Sequence, residues 1–189
     1  MLIIGITGTL GAGKGTIVQY LKEKEGFIHY SVRGFLLEEI ARRCLTPNRD
    51  SMTSVANDLR AQNGPSFIID ELYNKAVIRR EDCVIESIRT PGEIYSLREK
   101  GHFYLFAVDA DPAIRYQRIR LRQSETDSIS YETFLENENR EYTTCDPNKQ
   151  NLKKCIELSD FTFNNNGTIE QLNNNIKIVI KKIKTSDDI

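Results

Sequence analysis

The sequence predicts a three-layer α/β fold, a five-stranded parallel sheet with helices on both faces and a short helical lid. Three observations carry that expectation. Short apolar runs alternate with segments of helical period along the 189 residues, no linker or internal repeat divides the chain, and a glycine-rich stretch joins the first apolar run to the first helical segment. Residues 1–189 are therefore expected to form one domain.

The opening LIIGI reads as a buried strand, and TIVQYLKEK, after the glycines, as an amphipathic helix. GFIHYS is a short second strand. FLLEEIARRC follows as a helix with Leu36, Leu37, Ile40 and Cys44 on one side, and Met52, Val55, Ala56 and Leu59 recur at helical spacing in the next. In GPSFIIDELYNKAVI, Pro65 falls in the first helical turn and Ile68, Ile69, Leu72 and Ala76 form the apolar face. That segment contains FIIDE, which imitates a strand ending in metal-binding carboxylates, but its spacing makes it helical and assigns Asp70 and Glu71 to solvent. CVIESI is a third buried strand, and Thr90 with Glu93 forms a capping box, Pro91 in the first turn, for the helix behind it. FYLFAVDAD is the fourth strand, and Asp111-Pro112 opens a helix to about Gln123. FTFN is the fifth, and TIEQLNNNIKIVIKKI closes the chain with Ile169, Leu172, Ile176, Val179 and Ile183 on one stripe.

Lys and Arg total 26 against 27 Asp and Glu, a net charge of −1, which disfavours a general nucleic-acid binder. No apolar run approaches a membrane span, and MLIIGI lacks the basic start and long apolar core of a signal peptide. Cys44, Cys83, Cys145 and Cys155 have no close metal-type spacing. The expectation is a reduced, cytoplasmic protein whose partner is a small molecule, with no nucleic acid and no membrane.

Gly8, Gly13, Lys14 and Thr16 nearly spell the Walker A phosphate loop, with Gly15 pushing the hydroxyl residue one place along. A loop wrapped around a triphosphate turns its N–H groups inward, and glycine at positions 8, 11, 13 and 15, with Ala12 among them, reaches the necessary backbone angles without strain. Lys14 would set a point charge on the β/γ oxygens, the start of the following helix adds positive potential, and Thr16 is the expected Mg²⁺ ligand. NKAV and NKQN lack the aspartate of a guanine-reading motif, which points to ATP.

In parallel sheets of this kind ligands lie at the carboxyl ends of the strands. Glu86 ends strand three, placed to hold Mg²⁺ through water, and Arg89 follows it, placed to clamp a phosphate. Arg33 follows strand two, and Asn57 and Arg60 lie three apart on one helix face, Arg60 being the better substrate arginine, while Arg49 is compatible with a plain loop charge. Residues 31–80 are thus the expected acceptor-binding region. PAIRYQRIRLRQ carries Arg115, Arg118, Arg120 and Arg122; Arg118 and Arg122 share a face and Arg120 reads as solvated. A polar run follows and a second helix returns with Arg140, so residues 123–142 read as a lid that brings arginines to a transferred phosphoryl and excludes water.

GTLGAGKGT resembles the phosphate loop of adenylate kinase and its nucleoside monophosphate kinase relatives. The ordered set VIESIRTPGE, DADPAIRYQRIRLR, Arg140 and DFTFNNNGTIEQL is similar, over nearly the whole chain, to small P-loop proteins described as nucleotide or dephospho-CoA kinase-like. The resemblance implies the P-loop NTPase fold and ATP–Mg²⁺ phosphoryl transfer, with Lys14 on the donor phosphates, Thr16 on Mg²⁺, and Arg118 near the ATP base. It also implies Arg122 and Arg140 at the transferred phosphoryl, Arg89 near the acceptor phosphate, and the segment of Asn164, Asn165 and Gly167 beside adenine. Glu86 stands where the family more usually has aspartate, and SVRGFLL replaces the acceptor signature of adenylate kinase. A dephospho-CoA kinase would be expected to carry an aspartate base there, because a hydroxyl acceptor benefits from one whereas a phosphate oxygen is already ionised. Ser31-Val32-Arg33 therefore favours a nucleoside or deoxynucleoside monophosphate, with dephospho-CoA as the nearest rival and an ATPase module acting on a partner protein as the rival of another class.

Overall fold

The computed structural model describes residues 1–122 and 129–186. The first half runs β1 (Ile3–Gly8), α1 (Lys14–Glu25), β2 (Ile28–Ser31), α2 (Val32–Arg42), α3 (Arg49–Asn63), α4 (Phe67–Arg79) and β3 (Cys83–Glu86). It continues through α5 (Pro91–Glu99), β4 (Phe103–Asp109), α6 (Pro112–Arg122), α7 (Tyr131–Tyr142), α8 (Leu152–Glu157), β5 (Phe161–Asn164) and α9 (Ile169–Ser186). All strand pairs are parallel, in the order β2-β3-β1-β4-β5.

Period-two alternation divides the core. Ile3, Cys83, Ile85 and Leu105 point to the side covered by α2, α3, α4, α5 and α8, whereas Ile4, Ile6, Val84, Phe106 and Val108 point to α1 and α9. β1 is buried along its whole length because it is central and covered on both faces, so it reads as an unbroken apolar run. The expected three layers are present.

Several details differ from the sequence reading. Cys44 is exposed, since α2 stops at Arg42 and the chain turns through a left-handed φ of 55° at Cys44 itself. Pro65 precedes the cap residue Ser66 of α4, one step outside the helix. Asp70 is not given to solvent: it accepts from Ser66 Oγ at 2.7 Å, Ser96 Oγ at 2.5 Å and Lys100 Nζ, tying α4 to α5. On α9 the buried stripe is Leu172, Ile176, Ile180 and Ile183, while Ile169 is 66% exposed at the first turn. α8 has no counterpart in the sequence reading, because six residues with only Leu152 and Cys155 buried give too short a pattern to recognise. The expected lid, 123–142, includes residues 123–128, which lie outside the described residues; its remainder is largely α7. Among the described residues no helix is long and apolar enough to cross a membrane.

Candidate functional site

The carboxyl ends of the strands, at Gly8, Ser31, Glu86, Asp109 and Asn164, lie along one edge of the sheet, and a cleft of 780 Å³ is lined by residues that follow four of them. Its floor is the loop between β1 and α1. Gly8 has φ 140° and Gly13 φ 107°; a Cβ on Gly8 would lie 2.1 Å from the Val108 carbonyl oxygen, and one on Gly13 2.3 Å from Asn165 Nδ2. Gly15 differs. It lies inside α1 with open space around it and a φ outside the left-handed region, so the loop does not require glycine there for its conformation.

Three side chains pin this loop from outside. Asn165 donates from Nδ2 to the Ala12 carbonyl at 2.8 Å, and its own N–H reaches the Asp109 carbonyl at 2.8 Å. Thr9 Oγ1 donates to Asp109 Oδ1 at 2.5 Å. Arg115, 3% exposed, donates to the carbonyls of Ala110 at 2.7 Å and Leu10 at 3.2 Å, and pairs with Glu138 of α7 at 2.5 Å while lying over the Phe134 ring. α6, α7 and the loop thus share one buried cation.

Lys14 donates from Nζ to the carbonyls of Gly8 and Thr9, each at 2.8 Å. Its stem keeps some exposure, but burial of the amine, helped by the Arg89 charge and opposed by Glu141 and Glu86, lowers its pKa from 10.5 to about 7. A lysine whose pKa is depressed by folding binds fewer protons folded than unfolded between those two values, so its contribution to stability rises with pH from about 7 to 10.5 and is flat below. In urea denaturation Lys14→Met is accordingly expected to be more stable than the parent near neutral pH, with the gap narrowing toward pH 10.5. A gap independent of pH would mean that the amine stays hydrated.

On the other side of the cleft, charge is tightly organised. Glu141 of α7, 4% exposed, accepts from Arg49 Nη2 at 2.5 Å and from Arg89 Nη1 at 2.7 Å. Burial alone would push its carboxyl up, but Arg89 and Arg49 hold it below the usual carboxylate range. Arg60, 1% exposed, is held by Glu93 through Nε at 3.2 Å and Nη2 at 2.8 Å. Ser87, at a left-handed φ of 67°, turns the chain between Glu86 and Arg89. Several buried polar atoms lack hydrogen-bond partners here: Arg49 Nε, Arg60 Nη1, Arg118 Nη1 and Gln150 Oε1, all on residues that line this cleft. Buried donors left unpaired are costly, and three of these are guanidinium N–H groups on residues that line one cleft.

Of the residues expected from sequence, Gly11, Gly13, Lys14, Gly15, Thr16, Arg33, Arg60, Glu86, Arg89, Arg118, Arg122 and Asn165 line the cleft. Others do not. Gly8 and the buried Ala12 support the loop from behind, Asn57 and the exposed Gly167 are not among the lining residues, and Arg140 turns outward to Asp50 at 3.3 Å and Asn137 at 3.1 Å. One step along a helix changes direction by 100°, so in the place expected for Arg140 the cleft receives Glu141. Arg49 lines it as well, no plain loop charge but the first residue of α3, and so do Gln150, which the sequence did not mark, and Ile169, which it assigned to the apolar stripe of the closing helix.

The oxygen donors suit Mg²⁺. Glu86 is kept ionised: burial raises its pKa, but His29, Lys14 and Ser31 together pull it below the usual range. Thr16 and Glu86 both line the cleft, and among the described residues no group of three or more His, Cys, Asp and Glu gathers. Mg²⁺ takes few protein ligands and completes its shell with phosphate oxygens and water, which is what such a donor set leaves room for.

Comparison with known proteins places this geometry in context. The sequence profile of the family described as "AAA domain" matches residues 4–144. The UPF0200 protein PAE1629 of Pyrobaculum aerophilum is 29% identical over 184 residues, covering 96% of this chain and 98% of its own. Among solved structures, a gluconokinase from Sinorhizobium meliloti superposes with a TM-score of 0.57 at 12% identity, covering 93% of this chain and 89% of its own. Shikimate kinase from Bacteroides thetaiotaomicron gives 0.54 at 14%, covering 95% and 98%. The two likenesses are of fold.

Proposed function

The chain belongs to this AAA domain family and has a P-loop kinase-like α/β fold, and from that premise we propose that it is an ATP–Mg²⁺-dependent phosphotransferase whose acceptor is a nucleoside or deoxynucleoside monophosphate. The observation that carries the reading is the set of buried guanidinium donors without partners on residues that line the cleft with Lys14, Arg118 from α6 and Arg49 and Arg60 from α3. Two polyanions facing each other across Lys14 would satisfy them.

In this reading the loop N–H groups and Lys14 hold the donor phosphates, and Thr16, with Glu86 through water, holds Mg²⁺, which neutralises charge building on the transferred group. Arg33, Arg49, Arg60 and Arg89 receive the acceptor's phosphate, while Val32, Leu36, Met52 and Ala56 offer an apolar wall to its base. Ile169, exposed at the start of α9, offers a similar surface to the adenine. Arg118 and Arg122 stabilise the transferred phosphoryl, and residues 123–142 act as the lid, α7 carrying its inner charge. Arg140 would need to leave Asp50 before it could join them.

The test is ADP production from Mg-ATP across ribo- and deoxynucleoside monophosphates and dephospho-CoA. Stimulation by one monophosphate is expected. Stimulation by dephospho-CoA alone would overturn the choice of acceptor, and steady hydrolysis indifferent to every acceptor would replace the kinase reading with a partner-directed ATPase.

A further inference from the structure

We propose that Glu141 is an internal surrogate for the acceptor's anion, seated between Arg49 and Arg89 and displaced when a phosphate group arrives. The inference rests on the kinase reading above, in which those arginines face the acceptor.

Three guanidiniums, Arg49, Arg60 and Arg89, share two carboxylates in this part of the cleft, Glu93 and Glu141. The two carboxylates are held differently. Glu93 belongs to the frame: its Oε1 takes Arg60, and its Oε2 takes the N–H groups of Arg89 at 2.7 Å and Thr90 at 3.0 Å at the start of its own helix. Glu141 comes from α7, a separate element, and its two oxygens are each used by one arginine. The side chains from which Glu141 accepts hydrogen bonds among the described residues, Arg49 and Arg89, are therefore groups that phosphate itself would bind.

Phosphate offers more acceptor sites than a carboxylate, and the donors that stand unpaired, Arg49 Nε and Arg60 Nη1, are what it would add to Arg49 and Arg89. A phosphate there would share both guanidiniums with Glu141. Two anions cannot hold one such seat without strong mutual repulsion, so the carboxylate must leave or be neutralised. Glu141 sits one residue from the end of α7, so its departure releases the last turn of that helix from Arg49 and Arg89. Until then the carboxylate keeps the two arginines from repelling each other and excludes stray anions.

A positioning role for Glu141 predicts the opposite sign, because a carboxylate that only aims the arginines would strengthen anion binding. The experiment is calorimetric titration with inorganic phosphate, the phosphate loop being saturated beforehand with a non-hydrolysable ATP analogue and Mg²⁺. Glu141→Gln is expected to bind phosphate more tightly than the parent, on the order of tenfold, and Arg89→Gln more weakly. Glu141→Asp keeps the charge but shortens its reach, should fall between parent and Gln variant, and carries the test if the Gln variant does not fold. Equal or weaker binding by the Glu141 variants, with Arg89→Gln still weakened, would overturn the surrogate and leave the kinase reading standing. No phosphate binding by the parent or any variant would overturn both.

Discussion

Lys14→Ala is expected to lower turnover with the best acceptor by on the order of 10²–10³-fold, with no loss of thermodynamic stability. Both halves come from the same geometry. The amine lies against the carbonyls of Gly8 and Thr9, in the loop that would hold the donor phosphates, and its charge is the one preorganised cation on the loop itself. Charge that develops on the transferred group is stabilised most by groups already in position, and the low pKa of about 7 indicates an amine gaining little from its present surroundings. An anionic phosphate nearby would restore its proton. A variant with kcat unchanged and only KM raised would make Lys14 a uniform binding group, and unchanged kcat/KM would remove the loop from the mechanism.

The parts legible in the sequence were those governed by local rules. The strands announced themselves as apolar runs, the Thr90–Glu93 capping box by its spacing, and the loop by glycines, of which Gly8 and Gly13 are needed for φ and for close approach. Charge pairing was not legible, because it joins residues far apart in the chain. Glu141 lies 92 residues from Arg49 and 52 from Arg89, and Arg60 finds Glu93 across 33. Arg140 and Glu141 are adjacent, so only the phase of α7 decides which one enters the cleft, and that phase is set by Phe134, buried beneath Arg115 and packed against Tyr116 and Tyr131. The sequence pointed to arginines at the strand ends, and Arg33, Arg60, Arg89, Arg118 and Arg122 line the cleft there. It gave no sign that carboxylates already hold several of them.

Glu93→Ala is the substitution expected to damage the fold most, by about 3–5 kcal/mol in chemical denaturation. Glu93 is fully buried, and its loss removes a cap from α5, the hydrogen bonds that fix the backbone at Arg89 and Thr90, and the counter-charge of Arg60. The cap alone is worth about 1 kcal/mol. The rest arises because Arg60 is 1% exposed and would be left as a buried cation, with Nη1 already lacking a partner. Adding Arg60→Leu to Glu93→Ala should recover a substantial part of the loss, since an apolar side chain needs no counter-charge, whereas a cap defect would be indifferent to residue 60. A loss near 1 kcal/mol for Glu93→Ala, unchanged by the second substitution, would show that Arg60 reaches water through the cleft once released. In that case its charge would be held in place by the site rather than by the core, and Arg60 would belong to ligand binding before it belonged to the fold.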